Sequence, residues 1–259
     1  MAERAMSILA YGPAKVGKTT FASTAPTPML FMDGENSSRF LMKADGTFFR
    51  KIYWDPMSSG PPENDGSWDI CVVKVTEWKI AVKTYEYLKT NNHPFRSLVI
   101  DSISEMQDKL KNQLLGGGVS QMKMQDWGNI LRSMGQFLRQ VRDLTAEPES
   151  PLEATVLLAM AKEVREQDGT TTMKPYLEGS IVQQVPYFYD MTAYLYQEQV
   201  NNPDTNEVVD QRSLLTVGIK GFEAGNRVHF KRENGRAVIP NPNVSTILDM
   251  VFGPSPLDK

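Results

Sequence analysis

A glycine-rich segment near the start of the chain constrains the fold more than any other feature. Residues 12–19 read GPAKVGKT, which fits the pattern G-x-x-x-x-G-K-[ST] without a mismatch. The segment lies between an apolar run at 6–11 and a helix-forming stretch that begins at Lys18. A strand, a glycine-rich loop and a helix in this order are the context that the pattern requires. The sequence therefore predicts a phosphate-binding loop (P-loop) in an α/β fold.

The residue types of this loop each have a physical reason. Glycines allow backbone N–H groups to wrap phosphate oxygens, the start of a helix adds a positive dipole end, and a lysine adds a compact charge. We expect Lys18 to contact the β- and γ-phosphates and the hydroxyl of Thr19 to bind Mg²⁺. ATP and Mg²⁺ are therefore the expected cofactors. The residues expected to line the nucleotide are Gly12, Pro13, Ala14, Lys15, Val16, Gly17, Lys18, Thr19 and Thr20.

Apolar runs of strand length alternate with helical patterns along the chain. The predicted strands are 6–11, 29–33, 70–75, 97–101, 154–161, 191–197 and 213–219. The predicted helices start at Lys18, after Thr76 and after Asp101, and continue at about 121–145 and at 244–252. This alternation predicts an α/β fold with a mostly parallel central sheet and helices on both faces. We expect one domain over 1–259, with the Pro-, Gly- and Ser-rich segment 54–69 as a surface loop or an insertion.

Composition excludes several classes of protein. The longest apolar stretch, 154–161, is far shorter than the roughly 20 residues that a membrane span needs, and no signal-peptide pattern is visible, so we expect a cytoplasmic protein without a membrane partner. Cys71 is the single cysteine, and two histidines provide few ligands for a structural zinc. The formal net charge of −3 is unfavourable for coating duplex DNA, although a local basic loop remains compatible with it.

Two acidic residues just after predicted strands are candidates for the chemistry of a triphosphate. Asp101 ends the run SLVID and is the candidate for holding the metal with Thr19, the alternative being a cap of the next helix. Hydrolysis also needs a group that activates water. AAA-type ATPases usually carry a glutamate directly after the metal-linked aspartate. Ser102 follows Asp101 here, so that arrangement is absent.

Glu35 is the candidate for the missing base. It lies just beyond the predicted strand 29–33, which we expect to neighbour the P-loop strand, at the carboxyl edge where open α/β sheets bind ligands. The alternative is a solvated loop carboxylate, and Glu105 is a weaker competitor. Glu35 and Lys18 are therefore the candidate catalytic residues.

These features together resemble the RecA-like ATPase core, and specifically the compact phage nucleotide-binding proteins related to Sak-type single-strand annealing proteins. The likeness is carried by GPAKVGKTT, LFMDGE, SLVIDSISE and LLAMAKEVREQDGTTTMKPYLEGS. The resemblance implies a slow Mg²⁺-dependent ATPase of phage DNA metabolism in the host cytoplasm. It implies single-stranded DNA as a partner, annealing or recombination as the process, a homo-oligomer, and a single-strand-binding protein as a further partner. It also implies Glu35 as the water-activating residue and Asp101 as the metal-linked acid.

The resemblance directs attention to later parts of the chain. The family usually ends the strand at 154–161 with a polar residue that senses the γ-phosphate, whereas MAK stands here, so only Lys162 could take that role. A cation from an adjacent subunit often completes such sites. The candidates for that cation are Lys220, Arg227, Lys231 and Arg232, each with solvated surface charge as the alternative.

Two segments resemble the DNA-facing loops of the core, namely 116–123 and a predicted hairpin at 162–177. Cations beside an aromatic ring can follow a nucleic-acid backbone and stack a base. Acidic residues dilute the charge of the hairpin, so an ordinary structural element is an equal alternative. The candidate contacts in the hairpin are Lys162, Arg165, Lys174 and Tyr176.

Three functions fit these observations. The first is an ATPase that binds single-stranded DNA and promotes annealing or recombination. The second is a nucleotide-dependent switch or assembly factor that acts on protein partners without DNA, which the acidic charge permits. The third is a small-molecule kinase, which ranks last because such enzymes usually need an Arg-rich lid.

Overall fold

The computed structural model describes residues 4–116, 123–166, 168–202, 207–228 and 237–258. The strands are β1 Met6–Gly12, β2 Met29–Asp33, β3 Lys51–Tyr53, β4 Ile70–Lys74, β5 Ser97–Asp101, β6 Ala154–Arg165, β7 Thr171–Pro175, β8 Met191–Asn201, β9 Val208–Leu215, β10 Gly225–Asn226 and β11 Val238–Pro240. The helices are α1 Lys18–Ala22, α2 Trp78–Leu88, α3 Ile103–Leu114, α4 Met124–Asp143, α5 Ile181–Gln184 and α6 Val244–Phe252. Short 3₁₀ turns lie at Ser37–Phe40, Val185–Tyr187 and Pro256–Asp258.

The described strands join in one mixed sheet. Its order is β11-β9-β8-β1-β6-β5-β2-β4-β3, with β10 beside β8 and β7 beside β6. The strands from β8 to β3 in this order run parallel, whereas β7, β9, β10 and β11 pair antiparallel. The predicted α/β fold of the RecA-like P-loop type is confirmed. β1, β2 and β5 are buried along their whole length, as expected for parallel strands covered on both faces.

Helices cover both faces of the sheet. α2, α3 and α4 contribute to the apolar core on one face, and α1 and α6 contribute to the core on the other. The apolar stripe predicted near 121–145 is buried in α4, which includes Ile130, Met134 and Leu138. No helix in the described ranges combines the length and the hydropathy that a membrane crossing requires.

The strand order corrects one expectation. β2 pairs with β4 and β5 and does not neighbour β1, whose partners are β6 and β8. The prediction that 29–33 lies next to the P-loop strand is therefore wrong, because β6 comes later in the chain but inserts between β1 and β5. The register still aligns the ends of the strands: Gly12 pairs with Met160, Leu158 with Asp101, and Asp101 with Asp33. The predicted site residues thus share one carboxyl edge.

Several boundaries also differ from the sequence-based expectation. β6 continues to Arg165 and forms an antiparallel hairpin with β7. β9 occupies Val208–Leu215, earlier than the predicted strand at 213–219. The segment 54–69 is exposed in its middle, but Trp54 and Trp68 at its ends are buried against Phe95, with ring centroids 6.2 and 6.0 Å from the Phe95 ring. These two indoles anchor the segment to the sheet.

Candidate nucleotide-binding site

The P-loop turns from β1 into α1 through two glycines that are required for different reasons. A Cβ atom on Gly12 would lie 2.3 Å from the carbonyl oxygen of Leu195 in β8, so only glycine fits against that strand. Gly17 has a φ of 95°, in the left-handed region that favours glycine. Lys15 is also left-handed, with a φ of 63°, and the buried Val16 side chain fixes the loop in the core. The sequence thus produces a tight, anchored loop.

Lys18 lies over this loop with its ammonium among acidic groups. Its Nζ donates hydrogen bonds to the carbonyl oxygens of Gly12 at 3.0 Å and Pro13 at 2.7 Å. Burial lowers the pKa of the Lys18 ammonium, while the charges of Asp101 and Glu35 oppose that shift. This coupling places Lys18, Asp101 and Glu35 in one electrostatic cluster, although they come from three different parts of the sequence.

Asp101 faces the P-loop threonine. Its Oδ2 accepts hydrogen bonds from the hydroxyls of Thr19 and Ser37, each at 2.7 Å, and the residue is 2% exposed. Burial raises the pKa of the Asp101 carboxyl, the two hydrogen bonds lower it, and the nearby Glu35 and Asp33 raise it further. The alternative of Asp101 as a helix cap is wrong, because Ser102 is the N-cap of α3 and its side chain accepts from Glu105 N.

Glu35 is presented by a loop that Asp33 organises. The buried Asp33 carboxylate accepts from the backbone N–H groups of Glu35 at 3.2 Å, Ser37 at 3.0 Å and Ser38 at 3.1 Å. Glu35 is exposed, and its Oε1 accepts a hydrogen bond of 2.5 Å from the hydroxyl of Ser102. Glu105 instead lies 3.5 Å from Lys109 in an ion pair along α3. Ser102, the residue after Asp101, is therefore not the base itself but donates a hydrogen bond to the candidate base Glu35.

The donor set fits Mg²⁺ better than a soft metal. The hydroxyls of Thr19 and Ser37 and the carboxylate of Asp101 are hard oxygen ligands within hydrogen-bond distance of each other. Among the residues that the structure describes, no group of three or more His, Cys, Asp or Glu side chains could hold a metal ion by itself. Mg²⁺ is usually held by one or two protein oxygens together with phosphates and water. The site suits an ion that arrives with a nucleotide.

Comparison with known proteins places the chain in a family. Residues 4–228 match the family described as an AAA domain. The chain belongs to this AAA domain family. The AAA domain is thus a P-loop ATPase domain, a class that binds and hydrolyses nucleoside triphosphates.

Among solved structures, this AAA domain is similar to a prototypical ATPase from the type III secretion system of pathogenic bacteria, with 13% sequence identity and a TM-score of 0.43. That similarity covers 74% of the AAA domain and 51% of the other chain, so it spans about half the length of the secretion ATPase. No curated protein matches the AAA domain.

The remaining predicted residues of the AAA domain lie away from this cluster. Arg227 is near the amino end of β8, where its guanidinium donates to Tyr187 O and lies 3.9 Å from Asp190, and Lys220 is exposed. Lys231 and Arg232 lie outside the described residues, as does 117–122 of the predicted segment 116–123. In the hairpin, Lys162 and Arg165 are exposed.

Lys174 is not available to a ligand. It is 5% exposed, and its Nζ lies 2.8 Å from Glu166 and 3.0 Å from Gln183 Oε1. The expectation of a nucleic-acid contact at Lys174 is wrong, because the partners inside the chain already hold its ammonium.

Sequence reasoning missed Ser37, Ser102 and Arg212. Ser37 donates a hydrogen bond to Asp101, and Ser102 donates one to Glu35. Only the run of polar residues after β2 could have indicated Ser37. Arg212 of β9 lies beside the P-loop, since a Cβ atom on Gly17 would be 2.7 Å from its Nε. Nothing local in the sequence of β9 signals that position.

Proposed function

We propose that this AAA domain is a Mg²⁺-dependent ATPase whose catalytic base is Glu35. Residues 12–20 hold the triphosphate, Lys18 offsets the charge of its β- and γ-phosphates, and Thr19 and Asp101 hold the metal. The observation that carries the proposal is the 2.7 Å hydrogen bond between Thr19 Oγ1 and Asp101 Oδ2, with Glu35 coupled to the same Lys18. Mg²⁺, when bound, neutralises the charge that develops on the phosphates.

The protein groups divide the hydrolytic step between them. The Glu35 carboxylate accepts a proton from the water that attacks the γ-phosphorus, while the bond from that phosphorus to the bridging oxygen breaks and ADP leaves. The Ser102 hydroxyl orients the carboxylate through its 2.5 Å hydrogen bond. Lys18 stabilises the charge on the phosphates as the bond breaks.

Substitution of the base separates binding from hydrolysis. Glu35→Gln keeps the shape of the side chain but cannot accept the proton, so we expect ATP binding to remain and turnover to fall by about 10²-fold or more. Lys18→Ala should abolish nucleotide binding. Glu105→Gln is the matched control, and its turnover should equal that of the wild type. Normal hydrolysis by Glu35→Gln would show that the base is assigned wrongly.

We further propose that single-stranded DNA is the partner, and that the domain promotes its annealing or recombination as a homo-oligomer in phage DNA metabolism. A surface next to the Asp33 loop supports this. Phe40, Phe48 and Tyr53 are 77%, 63% and 58% exposed. Rings that stand in solvent beside cations can stack successive bases without sequence preference. We call this set the aromatic surface.

Each ring of the aromatic surface has a cation beside it. The Arg39 guanidinium lies 5.7 Å from the Phe40 ring, and the Lys74 ammonium lies 5.5 Å from the Tyr53 ring. Lys51 Nζ lies 5.9 Å from the Phe48 ring. In the hairpin, Lys162 Nζ lies 5.0 Å from the Tyr176 ring. A backbone could follow these cations although the whole chain carries a net charge of −3.

Fluorescence anisotropy with a labelled oligonucleotide tests the DNA proposal. We expect binding at low salt that ATP alters, and a clear loss of affinity in the double variant Phe40→Ala, Phe48→Ala. Tyr187→Ala removes an equally exposed ring elsewhere and is the control. A wild-type protein that does not bind at low salt would contradict the proposal. ATP-dependent co-purification of a protein partner would then favour a nucleotide-dependent switch.

A further inference from the structure

A polar cavity of about 290 Å³ lies beside the P-loop, on the side away from Asp101 and Glu35. It is enclosed by α1, by the hairpin of β8 and β9, and by the segment that joins β11 to α6. This volume is close to the lower end of small-molecule sites, roughly 300 Å³. The residues that line it are Phe21, Gln197, Asp210, Arg212, Asn241 and Pro242.

The hairpin reaches this position because β8 continues past the P-loop. Leu195 of β8 contacts Gly12, and Leu195 and Leu214 are buried in the same core as Phe21. Side chains two residues apart on a strand share a face, so Gln197 and Arg212 extend from that core towards the P-loop. These two residues pair across the hairpin. The backbone N–H of Asn241 donates to Arg212 O at 2.7 Å and holds the third wall in place.

Arg212 places a positive charge directly beside the phosphate-binding backbone. A Cβ atom on Gly17 would lie 2.7 Å from Arg212 Nε and 3.0 Å from its Cζ. The side chain is exposed, and it makes no ion pair with the part of the chain that the structure describes. A planar guanidinium with five N–H donors suits phosphate oxygens. Arg212 is therefore a cation without an acidic partner among the described residues, located where an anion is expected.

The sheet order gives a bound nucleotide its direction. Asp101 and Glu35 follow β5 and β2, which lie on one side of β1, whereas β8 and β9 lie on the other. A triphosphate whose γ end faces Asp101 must therefore direct its nucleoside end towards β8 and β9. The cavity is lined by residues of β8 and β9 and therefore lies on that side.

We infer that the cavity binds the ribose and base of the nucleoside triphosphate and that Arg212 binds its phosphates, an inference that rests on the proposed nucleotide site. The amides of Gln197 and Asn241 can both donate and accept, so they can read a base edge or ribose hydroxyls. The Asp210 carboxylate accepts from hydroxyl or amino groups, and Phe21 gives an apolar wall for a ring.

Competition binding distinguishes contacts to the nucleoside from contacts to the phosphates. The affinities of ATP and of inorganic tripolyphosphate are measured against a fluorescent ATP analogue. Gln197→Trp fills the cavity, and we expect it to weaken ATP by about tenfold or more while leaving tripolyphosphate much less affected. Arg212→Ala should weaken both ligands by a similar factor, and Arg212→Lys should restore part of the loss. Glu198→Trp adds the same bulk on the opposite face of β8 and should change neither.

The outcomes are distinguishable. An unchanged ratio of the two affinities in Gln197→Trp overturns the nucleoside assignment, and unchanged affinities in Arg212→Ala overturn the role of the arginine. A wild-type protein that binds neither ligand shows that the nucleotide site itself is wrong. Photolabelling of the unmodified protein with 8-azido-ATP needs no variant. Label at Phe21, in 191–201, in 208–215 or in 237–242 supports the inference, and label elsewhere overturns it.

Discussion

Gly12 shows how a single backbone atom from a distant strand determines a residue type. The pattern at 12–19 requires glycine there on grounds of phosphate binding, but in this protein the nearest constraint is the Leu195 carbonyl of β8. The close packing of β1 against β8 therefore also requires the first residue of the loop to be glycine. Gly17 is constrained differently, by its positive φ.

Gly12→Ala should destabilise the fold as well as the site. The new Cβ would lie 2.3 Å from Leu195 O, so β1 and β8 must separate, at a cost of about 1–3 kcal/mol. Urea unfolding measures the free energy and mant-ATP fluorescence the binding. Gly60→Ala is the control, because no atom lies within 4 Å of its Cβ position and the change should be within about 0.5 kcal/mol. Equal stabilities of the two variants would rule out the contact as a constraint.

Ser102 acts on catalysis through Glu35, in this proposal, and is therefore a positioning residue. Ser102→Ala removes the hydroxyl that donates to Glu35 Oε1, so we expect kcat for ATP to fall by about tenfold with KM little changed. Ser102→Thr keeps a hydroxyl at the helix cap and should recover most of kcat. Steady-state ATPase assays make the comparison. A loss of stability without a change in kcat would leave Ser102 as a helix cap alone.

At the scale of elements, the sequence predicted the features that depend on neighbouring residues and missed those that depend on which strands pair. The P-loop motif and the apolar run that ends at Asp101 are local, and the structure places Thr19 and Asp101 in contact. Strand order is not local: β6 inserts between β1 and β5, so the expected position of β2 was wrong. Arg212 was missed for the same reason, because only the pairing of β8 with β9 brings it to Gly17.

The hairpin of β6 and β7 contains one lysine with a structural role and one with an exposed side chain. Lys174→Ala leaves Glu166, Glu223 and Gln183 without their shared cation, and we expect a loss of about 1–3 kcal/mol in the free energy of unfolding. Lys162→Ala removes an exposed ammonium and should leave stability unchanged while it weakens oligonucleotide binding. Urea unfolding and anisotropy on both variants test this division. A reversed pattern would contradict it.

At the scale of the whole molecule, the central sheet places the candidate catalytic carboxylates and the cavity on opposite sides of β1. Its carboxyl edge carries Asp101 and the Glu35 loop on one side of β1 and the cavity beside Arg212 on the other. The aromatic surface begins at Phe40, the last residue of the 3₁₀ turn Ser37–Phe40, and the Asp33 carboxylate accepts hydrogen bonds from the first N–H groups of that turn. A ligand on that surface would therefore contact the same loop that presents Glu35. If the proposed DNA binding takes place there, this loop would connect it to the proposed hydrolysis.

We expect the stability of the fold against acid to depend on His93, which packs on Phe95, the residue against which the segment 54–69 is anchored. Its ring stacks on Phe95 with centroids 5.4 Å apart, and burial lowers the pKa of His93 from 6.5 to about 4. Between these values the unfolded chain binds more protons than the folded chain, so stability is lost as the pH falls through this window. The shift sets a ceiling of about 3 kcal/mol on that loss.

Urea unfolding of the wild type and of His93→Phe at a series of pH values between 7 and 4 isolates this contribution. We expect the free energy of unfolding of the wild type to fall more steeply below pH 6.5 than that of the variant, because a phenyl ring cannot take up the proton. The hydrogen bonds from Arg50 lower the pKa of Asp69 in both proteins, so the effect of that carboxylate cancels in the difference. Parallel curves for the two proteins would show that His93 does not control the acid response.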